Sequence, residues 1–177
     1  DGYFVYVGRL SHEKGVAELV HAMKRVPGAH LKVIGTGRLD EPLQKFVREQ
    51  GMTNVEFLGY KSGGELREIV RRAMFVAVPS VVYDNSPLAI YEALAHGKPV
   101  VGAAIGGIPE LIDEGRDGFL FTAGDEESLV QALRRMIECA PQWPEMGRAG
   151  RAKAERLFAP EAHLQRMEEI YQRFLSR

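Results

Sequence analysis

Short apolar runs alternate with stretches of helical spacing along the whole chain, and few folds accommodate that alternation. Tyr3 to Gly8 (YFVYVG), Leu31 to Gly35 (LKVIG), Val55 to Gly59 (VEFLG) and Phe75 to Ser80 (FVAVPS) read as buried strands. Val100 to Ala104 and a final FLF after Asp117-Gly118 complete the series. Between them lie helical stripes: Val16, Leu19, Val20, Met23 and Val26; then Leu43, Phe46 and Val47; then Leu66, Ile69, Val70 and Ala73. Pro109 to Glu114 reads as a short helix, and the last third is helical. There Leu129, Leu133, Met136 and Ile137 share a face, a segment from Pro144 to Leu157 follows, and Pro160 opens a terminal helix. Such alternation predicts an α/β, Rossmann-like parallel sheet of about six strands, with right-handed crossovers and helices on both faces. A length of 177 residues suits one domain spanning 1–177, with 160–177 as its terminal helix.

In a parallel sheet the C-terminal ends of all strands share one rim. Gly8-Arg9, Gly35 to Gly37, Gly59-Tyr60, Ser80 to Ser86 and Gly106-Gly107 all fall there. The richest stretch is Tyr83 to Val101, YDNSPLAIYEALAHGKPVV. Ser86 suits an N-cap, Pro87 the first helical position and Gly97 the C′ position of a helix through LAIYEALAH. Asp84 lies in the loop and Glu92 in the helix, with seven residues between them. The helix start offers free N–H groups to an anion, and two carboxylates can accept from sugar hydroxyls. An ordinary Rossmann-like helix with a surface acid reads equally well from this stretch alone.

Arg9 and Lys14 follow the first strand. Isolated, two loop cations are solvated charge; on a rim facing a helix N-terminus they suit a diphosphate. Gly35-Thr36-Gly37 has no third glycine, so it reads as a tight turn and not as a dinucleotide fingerprint. A net charge of −1 gives no bulk attraction to nucleic acid or to an anionic membrane. Cys139 is the only cysteine, which rules out an intrachain disulfide and suggests a reducing, cytoplasmic setting. His12, His21, His30, His96 and His163 show no metal-binding spacing. No apolar run reaches the ~18 residues of a membrane span, and neither a P-loop nor G-x-S-x-G occurs. The start at Asp1, almost directly before a strand, looks like a domain cut from a longer protein.

The Asp84-to-Glu92 stretch resembles the E-x7-E region of retaining GT-B glycosyltransferases of the GT4 type (glycosyltransferase group 1), with Asp84 in place of the first Glu. Gly8-Arg9-Leu10 through Lys14-Gly15 and Gly106-Gly107-Ile108-Pro109-Glu110 resemble two further motifs of that family. The resemblance covers the C-terminal, donor-binding half of such an enzyme. It implies a nucleoside-diphosphate sugar as donor, transferred to an acceptor hydroxyl. It implies Arg9 and Lys14 on the phosphates, supporting the leaving group, Asp84 facing the donor sugar and Glu92 on the ribose. Arg9, Lys14 and Asp84 are thus the expected catalytic residues. Gly8, Ser86, Leu88 and Ala89 are expected to line the donor site, and Tyr60 and Lys61 to meet the base.

No D-x-D pattern occurs, so neither a metal nor another cofactor is expected. The expected partner is an N-terminal acceptor domain of the same protein; the terminal helix, with Leu164, Met167, Ile170, Tyr171 and Phe174, packs in that family on the acceptor half, and a stripe packed wholly on this domain reads equally well. The full-length protein is expected in the cytoplasm or at the inner face of a membrane, and this fragment to be inactive alone. A GT-B-fold nucleotide-sugar epimerase and a non-catalytic nucleotide-binding module are the alternatives.

Overall fold

The computed structural model describes residues 2–175; Asp1, Ser176, Arg177 and the side chain of His163 lie outside the described residues. The strands are β1 (Tyr3–Val7), β2 (His30–Ile34), β3 (Val55–Gly59), β4 (Val76–Val78), β5 (Val100–Ala103) and β6 (Gly118–Phe121). The helices are α1 (Val16–Ala22), α2 (Asp40–Glu49), α3 (Gly63–Arg72), α4 (Leu88–Ala95), α5 (Ile108–Leu111), α6 (Glu126–Glu138), α7 (Trp143–Leu157) and α8 (Pro160–Leu175). All strand pairs are parallel, in the order β3-β2-β1-β4-β5-β6. The chain therefore winds outward from β1 in one direction, returns, and winds outward from β4 in the other.

Alternate residues of each strand enter different cores, so the strands are apolar on both faces. Phe4, Tyr6, Leu31, Val33, Phe75 and Val101 pack with α1, α2 and α6. Val5, Ile34, Val76, Val78 and Val100 pack on the other face with Val70, Ile90, Leu94 and Ile108. Phe4 and Phe75 stack with ring centroids 4.5 Å apart, which joins β1 to the entry of β4. No helix among the described residues is long and apolar enough to cross a membrane.

Several boundaries differ from those the sequence suggests. β4 stops at Val78 because Pro79 has no N–H for the ladder. α5 covers Ile108–Leu111 and not 109–114, because Ile112 is extended and the Asp113 N–H turns to the Asp117 carboxylate at 2.8 Å. Ser86 is not the N-cap of α4. Pro87 takes that position, and its carbonyl accepts from Ile90 N–H at 3.0 Å. Ser86 lies one residue too early to reach a first-turn amide, and its hydroxyl pairs with the Tyr91 hydroxyl at 2.8 Å. The other end of α4 agrees with expectation. Gly97 has φ 63°, its N–H donates to Leu94, and Lys98 N–H donates to Ala93, the paired bonds of a Schellman cap.

α7 ties the second half of the sheet together. Its Lys153 ammonium is buried against the Asp117 carboxylate at the mouth of β6, with Asp113 at 3.5 Å. Burial pushes the Asp117 carboxyl above its ordinary value, against the pull of Lys153. A raised carboxyl holds its proton more tightly folded than unfolded, so this group favours the native state in acid and withdraws that support as pH rises. Without Lys153 the carboxylate would be an unpaired buried charge. Lys153→Met should therefore destabilise by about 3–5 kcal/mol at neutral pH, and by clearly less near pH 4, where Asp117 takes up a proton. Urea unfolding at the two pH values checks this; an equal loss at both would remove the ion pair from the explanation.

Candidate functional site

The strand order reverses between β1 and β4, and the crevice outside that reversal is where open α/β sheets bind ligands. Two adjoining recesses occupy it, of about 590 Å³ and about 320 Å³. Val7, Gly8, Leu88 and Ala89 line both, so the end of β1 and the first turn of α4 form the partition. The larger recess runs past Arg9 and Thr36 to Tyr60, Lys61 and Glu92. The smaller holds Lys14, Ser80, Asp84 and Ser86. Every residue expected to meet the donor from the sequence thus lines one recess or the other, Gly8, Leu88 and Ala89 included.

The side chains differ in how firmly they are held. Lys14 and Asp84, on loops 70 positions apart, meet at 2.5 Å. Arg9 is 69% exposed and reaches Glu13 only at 3.9 Å, so it is free to turn toward a ligand. Glu13 also receives Arg38 at 3.2 Å. The Glu13 carboxyl lies below its ordinary value, held first by its own backbone N–H, with the Arg38 and Arg9 guanidiniums adding to this. Lys61 bonds Glu65 at 2.6 Å on the rim, and Tyr60 stands 73% exposed beside it. Glu92, expected on the ribose, is exposed on the cleft wall, since α4 turns its apolar residues Ile90, Ala93 and Leu94 inward.

Backbone packing shapes the site as much as side chains do. Gly35 has φ 137°, and a Cβ there would sit 1.9 Å from the Gly8 carbonyl oxygen. The Gly35-Thr36-Gly37 turn is therefore a tight turn, and its glycines let the ends of β1 and β2 touch. Gly106 and Gly107 do the same beneath Asp84. Gly106 has φ 60°, its Cβ would lie 2.7 Å from both N and O of Asp84, and the Gly107 N–H donates to the Asp84 carbonyl at 3.0 Å.

Tyr6 was hidden from sequence reasoning within an apolar strand run. Its hydroxyl donates to the Arg9 carbonyl at 2.7 Å and fixes the exit of β1. Burial pushes that phenol up, so it stays a neutral donor at physiological pH. Ser80, two residues past β4, lies on the rim as the sequence places it, and its burial, 2% exposed, is what the sequence did not signal. Among the described residues no group of three or more His, Cys, Asp or Glu side chains could hold a metal ion.

The family model described as Glycosyl transferases group 1 matches residues 1–139. The chain belongs to this family. Among curated relatives, sulfoquinovosyl transferase SQD2 of Arabidopsis thaliana is 35% identical over 155 residues, covering 86% of this chain and 30% of that protein. HepE of Anabaena, solved in complex with UDP, superposes with a TM-score of 0.86 at 26% identity, covering 97% of this chain and 49% of HepE. It has also been solved in complex with UDP-glucose. Sucrose-phosphate synthase of Thermosynechococcus elongatus gives 0.86 at 27% identity, over 99% of this chain and 46% of that one. The chain thus spans 30% to 49% of the length of these relatives, as one Rossmann-like half of a GT-B fold.

The glycine pair generates a direct test. Gly106→Ala puts a side chain in a left-handed conformation and against the Asp84 backbone, which should cost about 1–3 kcal/mol. Hydrogen exchange at the Gly107 amide should quicken by at least about tenfold while exchange in the sheet core changes little. Unchanged Gly107 exchange would mean that the pair does not support the Asp84 loop.

Proposed function

We propose that this chain is the donor-binding half of a retaining glycosyltransferase of the GT4 type, which passes a sugar from a nucleoside diphosphate to an acceptor hydroxyl without a metal. The observation that carries the reading is the convergence of Lys14, Asp84 and Glu92 on one crevice, at the reversal of strand order and beside the start of α4. The first turn of α4 lines both recesses, so its N-terminal amides are donors for the diphosphate. Arg9 and Lys14 supply the cations that a departing diphosphate needs as the glycosidic bond breaks and negative charge builds on its oxygens. Positioned cations act on that charge in the transition state, so they contribute to rate as well as to binding. Glu92 accepts the ribose hydroxyls from the wall of the larger recess, Asp84 faces the donor sugar in the smaller, and Tyr60 and Lys61 flank the base. The UDP named for HepE makes uridine nucleotides the first ligands to test.

The acceptor and the groups that orient it belong to a second domain. The outer side of α8 supports that division. Leu164, Tyr171 and Phe174 are 59%, 59% and 70% exposed, an apolar stripe with no cover among the described residues. We assign it to the N-terminal acceptor domain of the full-length protein. Chemistry then requires closure of two halves, which excludes water and aligns the acceptor.

Titration of the chain with UDP in EDTA tests the donor site, and saturable binding is expected. Glu92→Gln should weaken that binding by roughly 1–3 kcal/mol, and 2′-deoxy-UDP should pay a comparable penalty in the wild type. Arg9→Ala and Lys14→Ala should each weaken UDP by about 1.5–3 kcal/mol and leave uridine almost unaffected. Binding that needs a divalent metal, or variants that bind UDP like the wild type, would contradict the proposal.

A further inference from the structure

Resting on the reading of the crevice as a nucleotide-sugar site, we infer that Asp84 is a counter-ion that Lys14 exchanges for the ligand. Through it the site favours a nucleotide sugar over the bare nucleoside diphosphate. The two side chains pair at 2.5 Å inside the smaller recess, only 30% and 15% exposed. Both are anchored by backbone. The tight turn that carries Lys14 is held by Val81 N–H to the Glu13 carbonyl at 3.1 Å. Asp84 is held by Gly107 N–H to its carbonyl at 3.0 Å. An aspartate has a single methylene between backbone and carboxylate, so the charge stays within a short radius of the loop that carries it.

A phosphate that reaches the Lys14 ammonium therefore arrives beside a carboxylate. An ionised carboxylate only accepts hydrogen bonds, and so do ionised phosphate oxygens. The two oppose each other, and like charges brought together across an interface are costly. The donor sugar changes this balance. Esterification removes an ionisable oxygen from the terminal phosphate, and the sugar brings hydroxyl donors to the place where Asp84 lost its ammonium. The bare diphosphate has the extra charge and no such hydroxyls. Asp84 thus weakens the product selectively, which favours its departure after transfer, the step that limits turnover in many enzymes.

Calorimetric titration with UDP and with UDP-glucose, on the wild type, Asp84→Asn and Asp84→Ala, tests this. Thermal melts establish that each variant is folded, and Asp84→Ala serves if Asp84→Asn does not fold. The expected result is UDP binding about tenfold tighter in either variant, with UDP-glucose unchanged or weaker. In a Lys14→Ala background the same Asp84 substitutions should no longer tighten UDP, since the two residues act as a pair; a full tenfold gain there would overturn the exchange. If folded variants bind UDP no better than the wild type does, the counter-ion role is overturned while the nucleotide site stands. If the wild type binds neither ligand, the nucleotide site itself fails, and the counter-ion role with it.

Discussion

The gap between β1 and β4 is the constraint on which the molecule depends. Two neighbouring parallel strands whose connections leave in opposite directions cannot cover the space above their C-terminal ends. Here that space is bounded by four loop backbones brought into contact: the exit of β1, the turn after β2 and the loops after β4 and β5. Contacts of this closeness need residues without a Cβ, which is why Gly35 touches the Gly8 carbonyl and Gly106 touches Asp84. The polar side chains of the site stand on this frame. Lys14 and Asp84 can meet from 70 positions apart because the backbones beneath them are fixed.

Support for the frame continues through α4 to α7. Tyr91 of α4 bonds Ser86 on one side and meets the Phe158 ring edge-on at 4.7 Å on the other. Arg151 of α7 donates to the Ala95 carbonyl at the end of α4, and Lys153 anchors the same helix at β6. The helix that presents Glu92 is thus braced by the segment that leads into α8. Movement of α8 with a second domain would reach α4 through this packing, and α4 lines both recesses.

Much of this was legible in the chain because its signals are local. Buried strands show as unbroken apolar runs, and helix stops show as Gly97 or Pro27-Gly28. The chemistry of the rim was legible because parallel pairing sends every strand end to one edge, so Arg9, Lys14, Asp84 and Glu92 had to share it. What escaped was set by tertiary contact. Tyr6 looks like any core aromatic until its hydroxyl finds the Arg9 carbonyl. Ser86 looks like a helix cap because its type suits one; the rival bond to Tyr91 comes from a residue one turn away. The glycines at 106 and 107 read as a turn, and only folding shows that they lie under Asp84. Glu92 reads as an acid on a helix in either case, and its exposure depends on which residues of α4 the sheet draws inward.

The central claim is that a nucleoside diphosphate occupies the crevice between the ends of β1 and β4. Backbone amide NMR of the chain during a titration with UDP in EDTA tests it most directly, because each amide reports its own surroundings. The predicted shifts concentrate at Gly8 and Arg9, at Thr36, at Tyr60 and Lys61, and at Leu88 and Ala89, with the opposite rim around Thr53 and Asn54 silent. Shifts centred on that opposite rim, or none at saturating UDP, would contradict it.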